Sequence, residues 1–129
     1  VEAIGKIANS KSFVQEYQAA FVGIGNNKFR NELLQRLEQE GYEIPVLLHP
    51  TAYISKTAVI GKGAVVEPKA IVNANSRVGV GCIISVGAIV DHDVVLEDCV
   101  HVNAGAICKA GSFVAKETKL EAGQVVKGY

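Results

Sequence analysis

A six-residue repeat that begins near Tyr53 and runs almost to the C-terminus constrains this chain more than anything else in it. Every sixth residue from Ile54 is apolar: Ile60, Val66, Val72, Val78, Ile84, Val90, Leu96, Val102, Cys108, Val114, Leu120 and Val126. Two residues before each stands a mostly small side chain: Ala52, Ala58, Ala64, Ala70, Ser76, Cys82 and Ala88, then Val94, Val100, Ala106, Ser112, Thr118 and Gln124. A period of six fits neither the helical 3.6 nor a simple alternation. It fits short strands joined by corners and stacked as a parallel β-helix.

Neighbouring residues on a strand face opposite ways. If Ile60, Val66 and Val72 point inward, then Val59, Val65 and Ile71 point outward, and Ile83, Ile89, Val95 and Ile107 continue that outer apolar set. An extended apolar surface of this kind marks an interface, and identical prisms satisfy it by packing about a closed rotational axis. Each end coil also leaves an unpaired strand edge. The N-terminal segment is expected to cap one end, and Val125 to Tyr129 to leave the other truncated or very shortly capped.

Residues 1–48 follow a different pattern. Ala19 to Ile24 predicts a buried strand, Gly25-Asn26-Asn27 a turn, and Lys28 to Glu40 an amphipathic helix whose apolar residues Phe29, Leu33, Leu34 and Leu37 recur at spacings of three and four. Asn26 or Asn27 can cap its start and Gly41 is placed to end it. Glu43 to Leu48 predicts another strand before His49-Pro50. The expected division is a partial Rossmann-like α/β unit over residues 1–48 and the β-helix over 49–129. One helix cannot cover both faces of a parallel sheet, and the chain begins at Val1 with no methionine, so an upstream βα segment is expected to precede it.

Composition narrows the function classes. The formal net charge is zero, which gives no basic footprint for nucleic acid. No apolar run approaches the ~18 residues of a membrane span, and the N-terminus lacks the form of a signal peptide, so the expected location is cytoplasmic. The three cysteines, Cys82, Cys99 and Cys108, lack close metal-ligand spacing. Cys82 and Cys108 fall at inward positions, where a thiol packs as a small hydrophobe; Cys99 falls at a corner. No disulfide is assigned.

One charged cluster interrupts the bland repeat: Asp91-His92-Asp93, three successive corner positions counted from Val90. One coil earlier the corner reads Asn73-Ala74-Asn75, and one coil later Lys109-Ala110-Gly111. His92 is therefore flanked by alanines that leave room for a ligand beside an imidazole, the side chain best matched to general-base work near neutral pH. A neighbouring carboxylate can fix its tautomer. On spacing alone, a solvated corner that only keeps the surface polar stands slightly ahead of catalysis. His101 lies half a coil away, so it can meet His92 only across a subunit boundary; its other reading is packing beside Ile83 and Lys119. His49, before Pro50, reads as structural.

Four segments, Phe21 to Arg30 (FVGIGNNKFR), Leu48 to Ser55 (LHPTAYIS), Ile89 to Val94 (IVDHDV) and His101 to Ala106 (HVNAGA), resemble in their order the NeuD/PglD family of sugar O- and N-acetyltransferases. The hexapeptides I-G-K-G-A-V from Ile60 and V-G-V-G-C-I from Val78 resemble the left-handed β-helix acyltransferases at large. The resemblance implies a mostly β, left-handed coil of about eighteen residues, stacked at the ~4.8 Å strand spacing, in a homotrimer with active sites between subunits. It implies acetyl-CoA as cosubstrate, a nucleotide-linked (UDP) amino sugar of bacterial surface glycan synthesis as acceptor, and no metal.

Carried to matching positions, the resemblance makes His92 the general base, Asp93 its orienting acid with Asp91 less favoured, and His101 an acetyl-site residue from the neighbouring chain. Backbone N–H groups near Ala110 and Gly111 would meet the thioester oxygen or the pantetheine arm. The nucleotide would lie against Gly23, Gly25, Asn26 and Asn27, where a helix N-terminus favours phosphate; Arg30 reads either as a phosphate partner or as a solvated helix residue. Ser85 stands where family members often carry Asn seven residues before the histidine, at a position for acceptor or CoA contacts. Acetylation of a sugar hydroxyl and a non-catalytic trimeric binding module are the alternative readings. A zinc carbonic anhydrase on this fold needs a close histidine pair that His49, His92 and His101 do not make.

Overall fold

The repeat folds into a parallel β-solenoid of about four turns, mostly β, in which, among the described residues, thirteen strands of two residues each alternate with tight corners. The structure, a computed structural model, describes residues 2–129. The strands fall on three faces. On the first are β1 (Leu47–Leu48), β4 (Val65–Val66), β7 (Ile83–Ile84) and β10 (His101–Val102). The second carries β2 (Tyr53–Ile54), β5 (Ile71–Val72), β8 (Ile89–Val90), β11 (Ile107–Cys108) and β13 (Val125–Val126). The third carries β3 (Val59–Ile60), β6 (Arg77–Val78), β9 (Val95–Leu96) and β12 (Phe113–Val114).

Registers such as Val65↔Ile83 and Ile71↔Ile89 fix one coil at eighteen residues. The chain turns after two strand residues because each hexapeptide has only one apolar position to bury before the small residue that begins the next. Val66, Val72, Ile84, Val90 and Val102 are fully buried, as are Ala64, Ala70, Cys82, Ala88, Val94, Val100 and Ala106 two places before such positions. Full burial of each Val or Ile is worth about 1.5–3 kcal/mol against exposure. The outward set is uneven: Val59 and Val95 are exposed, while Val65, Ile71, Ile83, Ile89 and Ile107 are partly covered.

At the N-terminal end a 3₁₀ turn (Ile7–Phe13) leads to helix α1 (Asn27–Gln39), whose cap Asn26 accepts a hydrogen bond from the Phe29 N–H at 2.9 Å. The helix buries Leu33, Leu34 and Leu37 with Val22, Tyr42, Ile44 and Cys99. Its inner face differs from expectation at one turn: Phe29 is exposed and Arg30 is buried.

The two strands expected to flank the helix shrink to a single parallel bridge between Ala19 and Glu43. Its bonds run from the Glu43 N–H to the Gln18 carbonyl and from the Ala20 N–H to the Glu43 carbonyl. The next rung would need an N–H at Pro45, which proline lacks. Pro45 instead gives its carbonyl to the Gly63 N–H of the solenoid, and Leu47 joins the first face. The segment read as one strand from Glu43 to Leu48 thus serves two partners in turn.

Candidate active site

Three corners stack on the edge that follows β5, β8 and β11. The Asp93 N–H donates to the Ala74 carbonyl at 2.9 Å, and the Gly111 N–H donates to the His92 carbonyl at 3.0 Å. The third residue of each corner has left-handed backbone: Asn75 at φ 59°, Asp93 at 58° and Gly111 at 70°. Asn, Asp and Gly are the residues that adopt this conformation at least cost.

The two aspartates of the central corner divide their work. One Asp91 carboxylate oxygen accepts the His92 backbone N–H at 2.8 Å and the Asn73 side-chain amide at 3.2 Å, so it braces the turn. Asp93 Oδ2 lies 2.7 Å from His92 Nδ1, and Asp93 Oδ1 accepts from the Asn75 amide at 3.2 Å. The carboxylate assigns the proton to Nδ1 and leaves Nε2 as the acceptor nitrogen. The Asp93 hydrogen bond, reinforced by the charges of Asp91 and Asp93 and opposed by partial desolvation, holds His92 above the ordinary histidine range. The same bond, with that from Asn75, holds Asp93 below the ordinary carboxylate range.

His101 occupies a different setting on β10, between Ile83 of β7 and Lys119 in register. Its Nε2 lies 3.0 Å from Ser85 Oγ, and its buried Nδ1 has no hydrogen-bond partner among the described residues. Burial first, then the positive charges of Lys119 and Arg30, depress its basicity. His101 belongs to the first face and His92 to the corner after the second, so one chain does not bring the two imidazoles together. Ser85 is nearly buried and its hydroxyl is committed to His101.

At the upper corner the Gly111 N–H is engaged by His92, and the Ala110 carbonyl accepts the Tyr129 N–H at 3.3 Å. Tyr129, which the sequence pattern did not single out, also reaches the central corner: its hydroxyl lies 3.3 Å from Asp93 Oδ2 and its ring centroid 6.5 Å from that of His92. Its position follows from β13 pairing with β11, which aims the last residues at the Lys109-Ala110-Gly111 corner.

The glycine turn lies elsewhere. Gly23 and Gly25 line a cavity of about 200 Å³ with Arg30, Glu67 and Ile83. A second hollow of about 450 Å³ is bounded by Gly25, Asn26, Asn27, Lys28, Glu117 and Lys119. Asn27 donates to the Glu117 carbonyl at 2.9 Å and accepts from Arg30 at 2.7 Å. Arg30 is neither solvated nor free for phosphate. It is 1% exposed and donates to the carbonyls of Gly81, Ile24 and Cys99 as well as to Asn27. A sign was present in the sequence, since Arg30 stands on the same three-and-four spacing as Leu33, Leu34 and Leu37. Among the described residues no three His, Cys, Asp or Glu side chains are grouped to hold a metal ion, and no helix is long and apolar enough to cross a membrane.

A hexapeptide solenoid with a histidine–carboxylate pair on one corner edge defines a class, and comparison with known proteins narrows it. No protein-family model matches the sequence, and no curated protein does. Solved structures do match. The acetyltransferase domain of PglB from Neisseria gonorrhoeae FA1090, in complex with acetyl coenzyme A, is 33% identical with a TM-score of 0.93, over 98% of this chain and 62% of that one. PerB from Caulobacter crescentus, in complex with CoA and GDP-perosamine, is 26% identical with a TM-score of 0.83, over 99% of this chain and 71% of that one. A histidine-to-asparagine variant of perosamine N-acetyltransferase from the same organism, with the same two ligands, is 25% identical with a TM-score of 0.90 over 99% and 70%.

The solenoid matches a left-handed β-helix, and the chain's structural neighbours are hexapeptide-repeat sugar acetyltransferases of one family. The chain spans about three-fifths of the PglB domain's length.

Proposed function

We propose that this chain is the catalytic part of an acetyl-CoA-dependent acetyltransferase that acts on the amine of a nucleotide-linked amino sugar, a UDP-sugar in bacterial surface glycan synthesis. The observation that carries the reading is the 2.7 Å contact between His92 Nδ1 and Asp93 Oδ2 on an exposed corner. In the neutral ring it places the proton on Nδ1 and leaves Nε2 as the free lone pair that a general base requires. The binding of acetyl-CoA by the PglB domain and of CoA with GDP-perosamine by PerB supports the choice of cosubstrate and acceptor class.

In this mechanism Nε2 of His92 takes a proton from the acceptor amine as its nitrogen attacks the thioester carbonyl. The C–S bond then breaks, the amide forms, and the CoA sulfur leaves with the proton that His92 returns. Asp93 keeps the imidazole in the required tautomer and stabilises the imidazolium while the proton is held. Asp91 supports the corner. Because the Gly111 N–H is engaged by His92 within the chain, the Ala110 N–H is the better donor of that corner for the thioester oxygen; such a donor contributes about 2.7–4 kcal/mol to barrier lowering. The hollow between Asn26 and Lys119, with Lys28 at its rim, suits the acceptor's phosphates, with Gly23 and Gly25 allowing close approach.

The assembly in this reading is a homotrimer in the cytoplasm. Val59, Val95 and the partly covered Ile83, Ile89 and Ile107 form the surface between copies, and His101 with Ser85 reaches the acetyl site of the adjacent chain. The exposed Val59, Val95 and Phe113 of the third face, with the partly covered apolar residues of the other two, support an interface of this kind.

The test is CoA thiol release from acetyl-CoA by the protein, with UDP-4-amino-4,6-dideoxy sugars and their hydroxyl-only analogues as acceptors and His92→Ala as control. Release that requires both the amine and His92 is expected. Release with hydroxyl analogues alone would make it an O-acetyltransferase, and none with any acceptor from a folded trimer would overturn the enzymatic reading. Sedimentation equilibrium gives the subunit number independently.

A further inference from the structure

The segment after β13 does not trail away from the solenoid; it folds onto the corner stack beside the His92–Asp93 pair. Two glycines make this possible. Gly111 has φ 70°, and a Cβ built on it would lie 1.9 Å from a carbon of the Tyr129 ring. A Cβ on Gly128 would lie 1.8 Å from the Ala110 carbonyl oxygen. The tail therefore lies against a corner whose third residue, Gly111, carries no side chain, and is tied to it by the Tyr129 N–H on the Ala110 carbonyl. This seating brings the phenol to the carboxylate oxygen that also serves His92.

We propose that Tyr129 is a positioning residue for the base: its hydroxyl donates to Asp93 Oδ2 and its ring walls the His92 imidazole on the side of the upper corner. The proposal rests on the reading of His92 and Asp93 given above. Burial and the neighbouring Asp93 and Asp91 charges hold the phenol above its ordinary range, so it remains a donor across neutral pH. Sharing one oxygen between two donors limits how strongly Asp93 can favour the imidazolium, and it fixes the carboxylate rotamer that meets Nδ1. The charged groups acting on His92 are Asp93 and Asp91 from its own corner; Lys109 opens the corner one coil on.

The experiment is an NMR titration of the His92 ring nitrogens in the whole chain, comparing the parent with Tyr129→Phe, which keeps the ring and removes the hydroxyl. With one donor gone, Asp93 favours the imidazolium more, and the His92 midpoint is expected to rise by about 0.4 pH unit, the scale of a weak neutral hydrogen bond. Gly111→Ala, which displaces the ring, should raise it in the same direction. Superimposable titrations of parent and Tyr129→Phe, at matched thermal midpoints, would overturn the proposal. Because the readout is the imidazole itself, it stands apart from the acetyl-transfer assay: a shift without turnover sinks the enzymatic reading alone, and turnover without a shift sinks the role of Tyr129 alone.

Discussion

His92 and Asp93 are consecutive residues, yet the imidazole Nδ1 of one and a carboxylate oxygen of the other meet at 2.7 Å. The left-handed backbone of Asp93, at φ 58°, bends the chain sharply enough for the second side chain to fold back on the first. A pairing that is elsewhere assembled from distant parts of a fold is here made by one turn.

The pair sets the acid side of the expected rate profile. The base works unprotonated, so activity should fall as pH drops through the His92 midpoint, which lies above the ordinary histidine value because Asp93 favours the charged ring. Asp93→Asn keeps a residue suited to left-handed backbone but removes that charge. Its profile should move to lower pH, with a reduced plateau from loss of the tautomer preference. His92→Ala should lose about 10²–10⁴-fold in turnover. A pH profile of kcat/KM for the three proteins checks both.

His101 should make the fold acid-sensitive. Its folded-state basicity is depressed by burial, so the unfolded chain binds its proton first. The stability contributed by the neutral ring is present above the unfolded value of about 6.5 and is lost as pH falls below it. His92 acts oppositely, since its raised folded value adds stability below about pH 6.5 that fades as pH rises through the folded midpoint. In a His92→Gln background the melting temperature should fall from pH 7 to pH 5.5, and His101→Gln should flatten that fall.

Arg30 should be among the costliest single positions. It is buried with four neutral oxygens as acceptors and no carboxylate bonded to it among the described residues. Arg30→Met strands those oxygens at about 1–3 kcal/mol for each one left unpaired and buried, so urea unfolding should show a loss of about 3 kcal/mol or more. Arg30→Lys should recover little, because an ammonium cannot reproduce the planar fork.

The thiols should be silent in the folded protein. Burial pushes Cys82 up to about 12 and Cys108 up to about 11, and raises Cys99. Thiolate is the reactive form, so a disulfide reagent should titrate none of the three cysteines natively and all three in denaturant. Thiol release in the acetyl-transfer assay then reports CoA alone.

The solenoid was legible because a large apolar residue and a small one two places before it recur in nearly every hexapeptide, which leaves few other ways to bury Val66, Val72 and Val90. The helix was legible from Leu33, Leu34 and Leu37. What escaped was whatever depended on contacts between distant segments. Phe29 looked like core and Arg30 like surface, since apolarity was read without asking which backbone carbonyls lie opposite. The strand expected from Glu43 was cut short by the missing N–H of Pro45, a feature visible in the sequence but decisive only once its partner is known. Asp93 could be matched to His92 by adjacency, but the reach of Tyr129 to the same carboxylate depends on β13 pairing with β11 and on bare Gly111.

Gly81 and Cys99, whose carbonyls Arg30 grips together, are one full coil apart. The guanidinium thus measures the rise between adjacent coils, and it finds both acceptors only when those coils have closed in the correct register. A slip by one hexapeptide would carry one carbonyl to another face of the prism and leave the charged fork without it. Docking of α1 and the winding of the solenoid are in this sense coupled: the helix's guanidinium finds both acceptors only in the native register.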